Sequence, residues 1–177
     1  MPMRLRPAKA GSNRIPATCF AAVLAASGFL LSACSNGDEE VVYVEQPVTT
    51  LYNDAMDELM AESYEPAAEM FDEVERQHPY SAWATKGQLM AAFAYYKKSS
   101  YPEAVVTLDR FIQLHPAHAH VAYAYYLKAL CYYERITDVA RDQKTTERAR
   151  DGFEEVMTRF PDTAYAADAG RKLVLIR

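Results

Sequence analysis

Glycine is scarce, six in 177 residues, whereas tyrosine occurs thirteen times. No Gly-punctuated alternation of apolar and polar residues is found, so strands are not expected and helices with an aromatic surplus are. Three catalytic signatures are missing as well: the nucleophile elbow, the phosphate-cradling Gly-rich loop and the zinc-binding helix motif. An enzyme is therefore not expected, and a hydrolase, the nearest catalytic alternative, lacks an evident nucleophile and base. Positive charge is short too, with a formal net charge of −5, which argues against nucleic acid, where a basic patch supplies the affinity. Long apolar runs are also wanting: Phe20 to Leu31 is shorter than the roughly 20 residues of a spanning helix, and Ser27 and Gly28 interrupt it.

That short run has a context. Arg4, Arg6, Lys9 and Arg14 precede it without an acid, and small residues follow it, the order of a secretory signal that is removed. The exit reads Leu31-Ser32-Ala33-Cys34. Large Leu31 fits an ordinary signal peptidase site poorly, and the segment resembles the lipobox of bacterial lipoproteins. The resemblance implies that Cys34 is acylated and becomes the new N-terminus, and that Ser35, standing where inner-membrane lipoproteins carry Asp, directs the chain to the periplasmic face of the outer membrane. Acyl burial contributes about 0.8 kcal/mol per methylene, so several chains on Cys34 hold firmly. Residues 1–33 are then signal, 34–48 a solvated leash bearing Asp38, Glu39 and Glu40, and 49–177 the folded body. Losing residues 1–33 removes four positive charges and takes the net charge from −5 to −9. Cys19 leaves with the signal and Cys34 carries lipid, so Cys131 is left without a disulfide partner. Its apolar neighbours at helical spacing mark it as a buried structural thiol.

Three prolines punctuate the body, in His78-Pro79, His115-Pro116 and Phe160-Pro161. Twelve residues before them stand Ala67, Ala104 and Ala149; eight before, Phe71, Leu108 and Phe153; five before, Val74, Phe111 and Val156. These spacings share one helical face. AAFAYYKK at 91–98 lies over KALCYYER at 128–135 with the same 37-residue offset. The pattern resembles the tetratricopeptide repeat, in which a small residue and Tyr on a first helix (Ala92 and Tyr95, Ala129 and Tyr132) precede Ala-x3-Phe and a closing Pro on the second. An all-α solenoid is expected, three helix pairs plus one extra helix, over about 50–62, 65–77, 82–98, 102–114, 119–136, 147–159 and 164–177. Ser81, and Asp162 or Thr163, are the expected N-caps. The proline spacing grows from 37 to 45 in the third repeat, which places a polar surface loop at 137–146. Leu173, Val174 and Ile176 lie in a first helix without the capping partner that stacked repeats need; either the native chain continues past Arg177 or this helix is loosely held.

In tetratricopeptide arrays the first helices line the hollow. The corresponding positions are Tyr52, Met56 and Leu59, then Lys86, Leu89, Phe93 and Tyr96, then Tyr123, Tyr126, Leu130 and Tyr133. They make an aromatic trough with a polar edge, suited to an extended peptide with aromatic side chains. Against this stands packing, which accounts for about half of any such helical stripe; Tyr95 and Tyr132 are assigned to the core. His115, His118 and His120 straddle a Pro turn without i, i+4 pairing or a nearby acid, so turn and capping roles are expected in place of a metal. No cofactor is expected. The carboxylates Glu65, Glu69, Asp72, Glu73, Glu103, Asp109, Glu154 and Glu155 alternate with Arg76, Arg110, Arg150 and Arg159 on second helices, as on a solvated convex face.

Lipobox, acidic leash and repeat body together resemble the BamD, or ComL-like, family of lipoproteins of the outer-membrane β-barrel assembly machinery. The carrying segments are AYYKKSSYPEAVVTLDRFIQLHP (94–116), YLKALCYYER (126–135), DQKTTERA (142–149) and FEEVMTRFPDTAYAADAGRKLVLIR (153–177). The resemblance implies a scaffold that binds BamA and BamC-like subunits and receives unfolded outer-membrane proteins, whose last strands end in aromatics. Its N-terminal repeats would form the substrate groove; its last two of about five, the principal BamA contact, have no counterpart in residues 1–177. The alternative is an outer-membrane tetratricopeptide adaptor for a cell-wall or division complex, which co-purification from envelopes distinguishes by the absence of BamA and BamC.

Overall fold

The computed structural model describes residues 45–137 and 143–176. Cys34, the signal, most of the leash, and residues 138–142 of the expected loop lie outside them. The described residues form helices α1 (Val48–Met60), α2 (Tyr64–Gln77), α3 (Ala82–Lys97), α4 (Tyr101–Leu114), α5 (Val121–Tyr133), α6 (Gln143–Arg159) and α7 (Ala164–Ile176), with a 3₁₀ turn at Glu134–Thr137. No strand occurs among them.

The repeat signature is the core. Ala67, Ala104, Ala149, Phe71, Leu108, Phe153, Val74, Phe111 and Val156 are all 0% exposed. Small residues let neighbouring helices approach while the large ones fill the space between them. Three apolar clusters result, one centred on Phe71, one on Leu108 and Phe111, one on Phe153. Each helix packs on its sequence neighbour, and the odd-numbered helices also touch one another, α1 with α3, α3 with α5 and α5 with α7. That closeness of the odd helices puts them on the inside of the curve.

Local chemistry sets the boundaries. Each proline forces the residue before it out of the helical region, and His78 and His115 end α2 and α4 outside it, with φ −132° and −130°. Ser81 accepts the Ala84 N–H through its side chain at 3.0 Å and Thr163 accepts that of Ala166 at 3.2 Å; Thr163, not Asp162, is the cap. The turns after α1 and α3 are built alike. Glu62 and Ser99, 37 residues apart, both take positive φ (59° and 66°), and Ser63 and Ser100 donate back to the carbonyls of Glu58 and Tyr95. This is the left-handed helix stop that glycine usually makes, built here with no glycine.

Two boundaries differ from the spacing-based expectation by more than two residues. The α-helical part of α5 stops at Tyr133 and tightens into the 3₁₀ turn, where it was expected to run to 136. Helix α6 starts at Gln143, four residues before the expected 147. The extra residues of the third repeat therefore partly lengthen a helix: Thr145, counted as loop, is buried, and burial there favours helix over polar loop.

Candidate peptide trough and relation to known proteins

The eleven trough residues sit on α1, α3 and α5, as the repeat register requires. Nine of them (Tyr52, Met56, Leu59, Phe93, Tyr96, Tyr123, Tyr126, Leu130 and Tyr133) are half-buried and Lys86 is exposed. Leu89 is not available to a ligand: at 7% exposure it belongs to the core with Leu108 and Phe111, because its position turns toward the neighbouring pair. The half-buried residues keep one side on a core cluster and leave the rest partly exposed, so packing holds these side chains in place.

At one end Tyr52 stacks obliquely on Trp83 at 4.8 Å, and the Lys86 ammonium lies 4.8 Å from the same indole ring. At the other, Tyr165 of α7 packs against Tyr123 and Tyr126, each at 5.5 Å between ring centres. Lys172 caps the Tyr133 ring at 4.5 Å, a cation over an aromatic face. Between them Tyr96 lies 5.9 Å from Tyr101 and donates a long hydrogen bond, 3.5 Å, to Glu134. The Tyr126 hydroxyl donates to Asp168, which Arg171 also holds at 2.6 Å.

Proton affinities follow from this packing. Burial pushes Tyr96 up to about 12, with the Glu134 charge adding to it. Burial likewise raises Tyr123 and Tyr126, the latter further through its bond to Asp168. Asp168 is held below the usual carboxylate range, first by the Tyr126 hydrogen bond and then by Arg171. At neutral pH the trough thus offers uncharged hydroxyls and aromatic faces, with Lys86 and Lys172 as cations at its two ends.

Trp83, Tyr165, Lys172 and Asp168 were missed by register mapping. A signal for the first two exists: the residue four places after each closing proline is a ring, Trp83, His120 and Tyr165. Asp168 carries no such signal, since its repeat equivalents are Tyr123 and Lys86.

Outside the trough, Tyr95 donates to Asp72 at 2.6 Å and packs between two clusters, a core role. Tyr132 departs from its expected core role: it is half-buried like Tyr95, but it is not among the residues packed on the three core clusters and lines an outer cleft. His115 and His118 pack on Phe111 at 5.4 and 5.3 Å, and His118 Nδ1 accepts the His120 N–H at 3.2 Å. Those are turn contacts, and burial lowers the His118 proton affinity, helped by the neighbouring His120 and His115. Buried Cys131 is pushed up to about 12 by desolvation, which suppresses the reactive thiolate. On the second helices Arg76 pairs with Glu73, Arg110 with Glu75 and Arg159 with Glu155.

Comparison with known proteins agrees with the fold. Residues 44–177 match the family described as outer membrane lipoprotein, YfiO. "Outer membrane protein assembly factor BamD" of Caulobacter vibrioides is 43% identical over 161 residues, covering 91% of this chain and 53% of that protein. The protein of that name from Rickettsia prowazekii is 42% identical, covering 84% and 59%, and that from Neisseria meningitidis serogroup B (strain MC58) is 34% identical, covering 83% and 60%. The chain thus spans a little over half the length of these relatives. Among solved structures, the first tetratricopeptide domain of Spaghetti (RPAP3), bound to the HSP90 peptide SRMEEVD, superposes with a TM-score of 0.56 at 16% identity, covering 76% of this chain and 96% of that one. With the family match running from the leash to the last helix, and relatives at up to 43% identity, the chain belongs to the YfiO family of outer membrane lipoproteins.

Proposed function

We propose that this chain is a non-enzymatic scaffold of outer-membrane protein assembly, moored by acylated Cys34 to the periplasmic face of the outer membrane. Its odd-numbered helices hold extended, aromatic-ended segments of unfolded β-barrel proteins, and BamA and BamC-like subunits are its assembly partners. The observation that carries the reading is the run of half-buried rings along one side, Tyr52 with Trp83 at one end and Tyr123, Tyr126 and Tyr165 at the other. Relatives at 43% and 42% identity are named as outer membrane protein assembly factors, and the similarly folded RPAP3 domain holds a short peptide. A barrel strand arriving unfolded has unpaired backbone groups and alternating rings. Neutral tyrosine hydroxyls give the first partners and aromatic faces give the second slots.

Each ring contributes about 1 kcal/mol, so binding is spread over several weak anchors and stays releasable. The test is titration of a labelled peptide copying the last strand of an outer-membrane barrel. Phe93→Ala and Tyr126→Ala are each expected to weaken binding about fivefold, with the helical circular dichroism unchanged. Affinity unchanged in both would refute the trough assignment. Mass spectrometry of the mature envelope protein tests the mooring separately, through a diacylglyceryl adduct on Cys34.

A further inference from the structure

The repeats share an outer cleft, between the first and second helix of a pair, that changes character from the second repeat to the third. In the second it is lined by Tyr95, Glu103, Val106 and Thr107, with a volume of about 320 Å³. In the third the equivalent positions are Tyr132, Arg148, Asp151 and Gly152, and the volume is about 340 Å³. The charged rim residue is inverted in sign, Glu103 to Arg148, and Thr107 gives way to Gly152, where α5 and α6 approach closely.

The tyrosine is released at the same step. Tyr95 is fastened to Asp72. The counterpart of Asp72 is Asp109, which Lys128, standing in the place of Ala91, takes at 2.6 Å. Tyr132 consequently has no hydrogen bond to its hydroxyl among the described residues, and its ring carries the Arg148 guanidinium at 5.6 Å. The other charges at this cleft cancel locally: Lys128 with Asp109, Arg150 with Asp151 at 3.3 Å, Arg159 with Glu155 at 2.8 Å. No carboxylate among the described residues pairs with Arg148. The floor is tight, since a Cβ on Gly152 would sit 3.0 Å from the Ala129 Cβ.

We infer that the α5–α6 cleft is a docking site for an acidic side chain in an extended segment of a partner protein. Arg148, standing over the Tyr132 ring, presents its fork to the carboxylate. The Tyr132 hydroxyl supplies a further donor, and Ala129 and Gly152 close the floor beneath the side chain. The site shares no residue with the trough, so occupancy of one leaves the other open.

Amide chemical-shift titration of the full mature chain tests this, with three blocked tetrapeptides as probes: acetyl-Ala-Leu-Glu-Ala-amide, its Gln analogue, and the Gln peptide with a free C-terminal acid. The Glu peptide is expected to give saturable shifts at Ala129, Arg148 and Gly152, and the Gln amide none. Arg148→Gln is expected to weaken the Glu peptide about tenfold or more, Arg148→Lys to weaken it less, and Tyr132→Phe to weaken it about threefold. Arg148 is exposed and Tyr132→Phe keeps the ring, so these variants fold; matching amide spectra confirm it. Saturable binding that survives Arg148→Gln, shifts confined to other helices, no saturable shift at all, or stronger binding of the free C-terminal acid each overturn the proposal.

Discussion

Tyr52, Tyr95, Tyr96, Tyr123 and Tyr126 all hold their protons more tightly than free tyrosine, with burial as the first cause in every case. The sign of the pH dependence follows. Below pH 10, the ordinary tyrosine value, folded and unfolded chains carry the same protons and these groups leave stability unchanged. Above it the unfolded chain ionises first, and stability falls as the pH rises toward the folded value, about 12 for Tyr96. In the native protein the rise of tyrosinate absorbance is expected to lag that in concentrated urea; coincident curves would contradict the packing described. At acid pH the reverse holds: Asp168, lowered from 3.8, contributes stability above that value and loses it as the pH falls through the lowered one. Sequence spacing set Tyr95 in the core and identified the other four rings as part of a stripe, but could not divide packing from display within it. Leu89 and Phe93 are one turn apart on α3, and one is core while the other is half-buried. That division depends on which neighbouring pair covers each position, which no local pattern contains.

At the scale of the helices, punctuation was the most legible feature. The three closing prolines, the Ser81 cap and the small-residue positions can be read directly, because each acts through backbone geometry within a few residues. The left-handed stops at Glu62 and Ser99 could not, since the usual marker, glycine, is absent from both. Their strain gives a prediction. Ser99→Gly removes the Cβ clash of a positive φ, a gain of about 1–2 kcal/mol, against about 0.5–1 kcal/mol for glycine's added chain freedom. Urea denaturation is expected to show a net gain of about 0.5–1 kcal/mol, while Ser100→Gly, at φ −80°, lowers stability. A loss on Ser99→Gly would argue that the turn is not formed. Helix α7 supplies a second test at this scale. Its inner residues Leu173 and Ile176 pack on the Phe153 cluster, yet Val174 and Leu175 are 67% and 70% exposed. Hydrogen exchange is therefore expected to be faster in α7 than in α3–α5, because local opening there costs fewer buried contacts. Equal protection would contradict it.

For the whole molecule, a 37-residue period sufficed to foresee a solenoid, since each pair buries its face only against the next. The lengthening to 45 was also visible, although its use, an early start to α6 that buries Thr145, was not. The molecule that results has two unlike surfaces. Uncharged rings line the odd helices on the inside, while paired charges cover much of the even helices outside, interrupted by the Arg148 cleft. The most direct test of this division is an amide shift map of the isotope-labelled chain with a peptide ending in a barrel's last strand. Saturable shifts at the trough positions of α1, α3, α5 and α7, with α2 and α4 quiet, are the expected result. Shifts gathered on α2 and α4 instead, or none that saturate, would contradict a binding hollow on the odd helices.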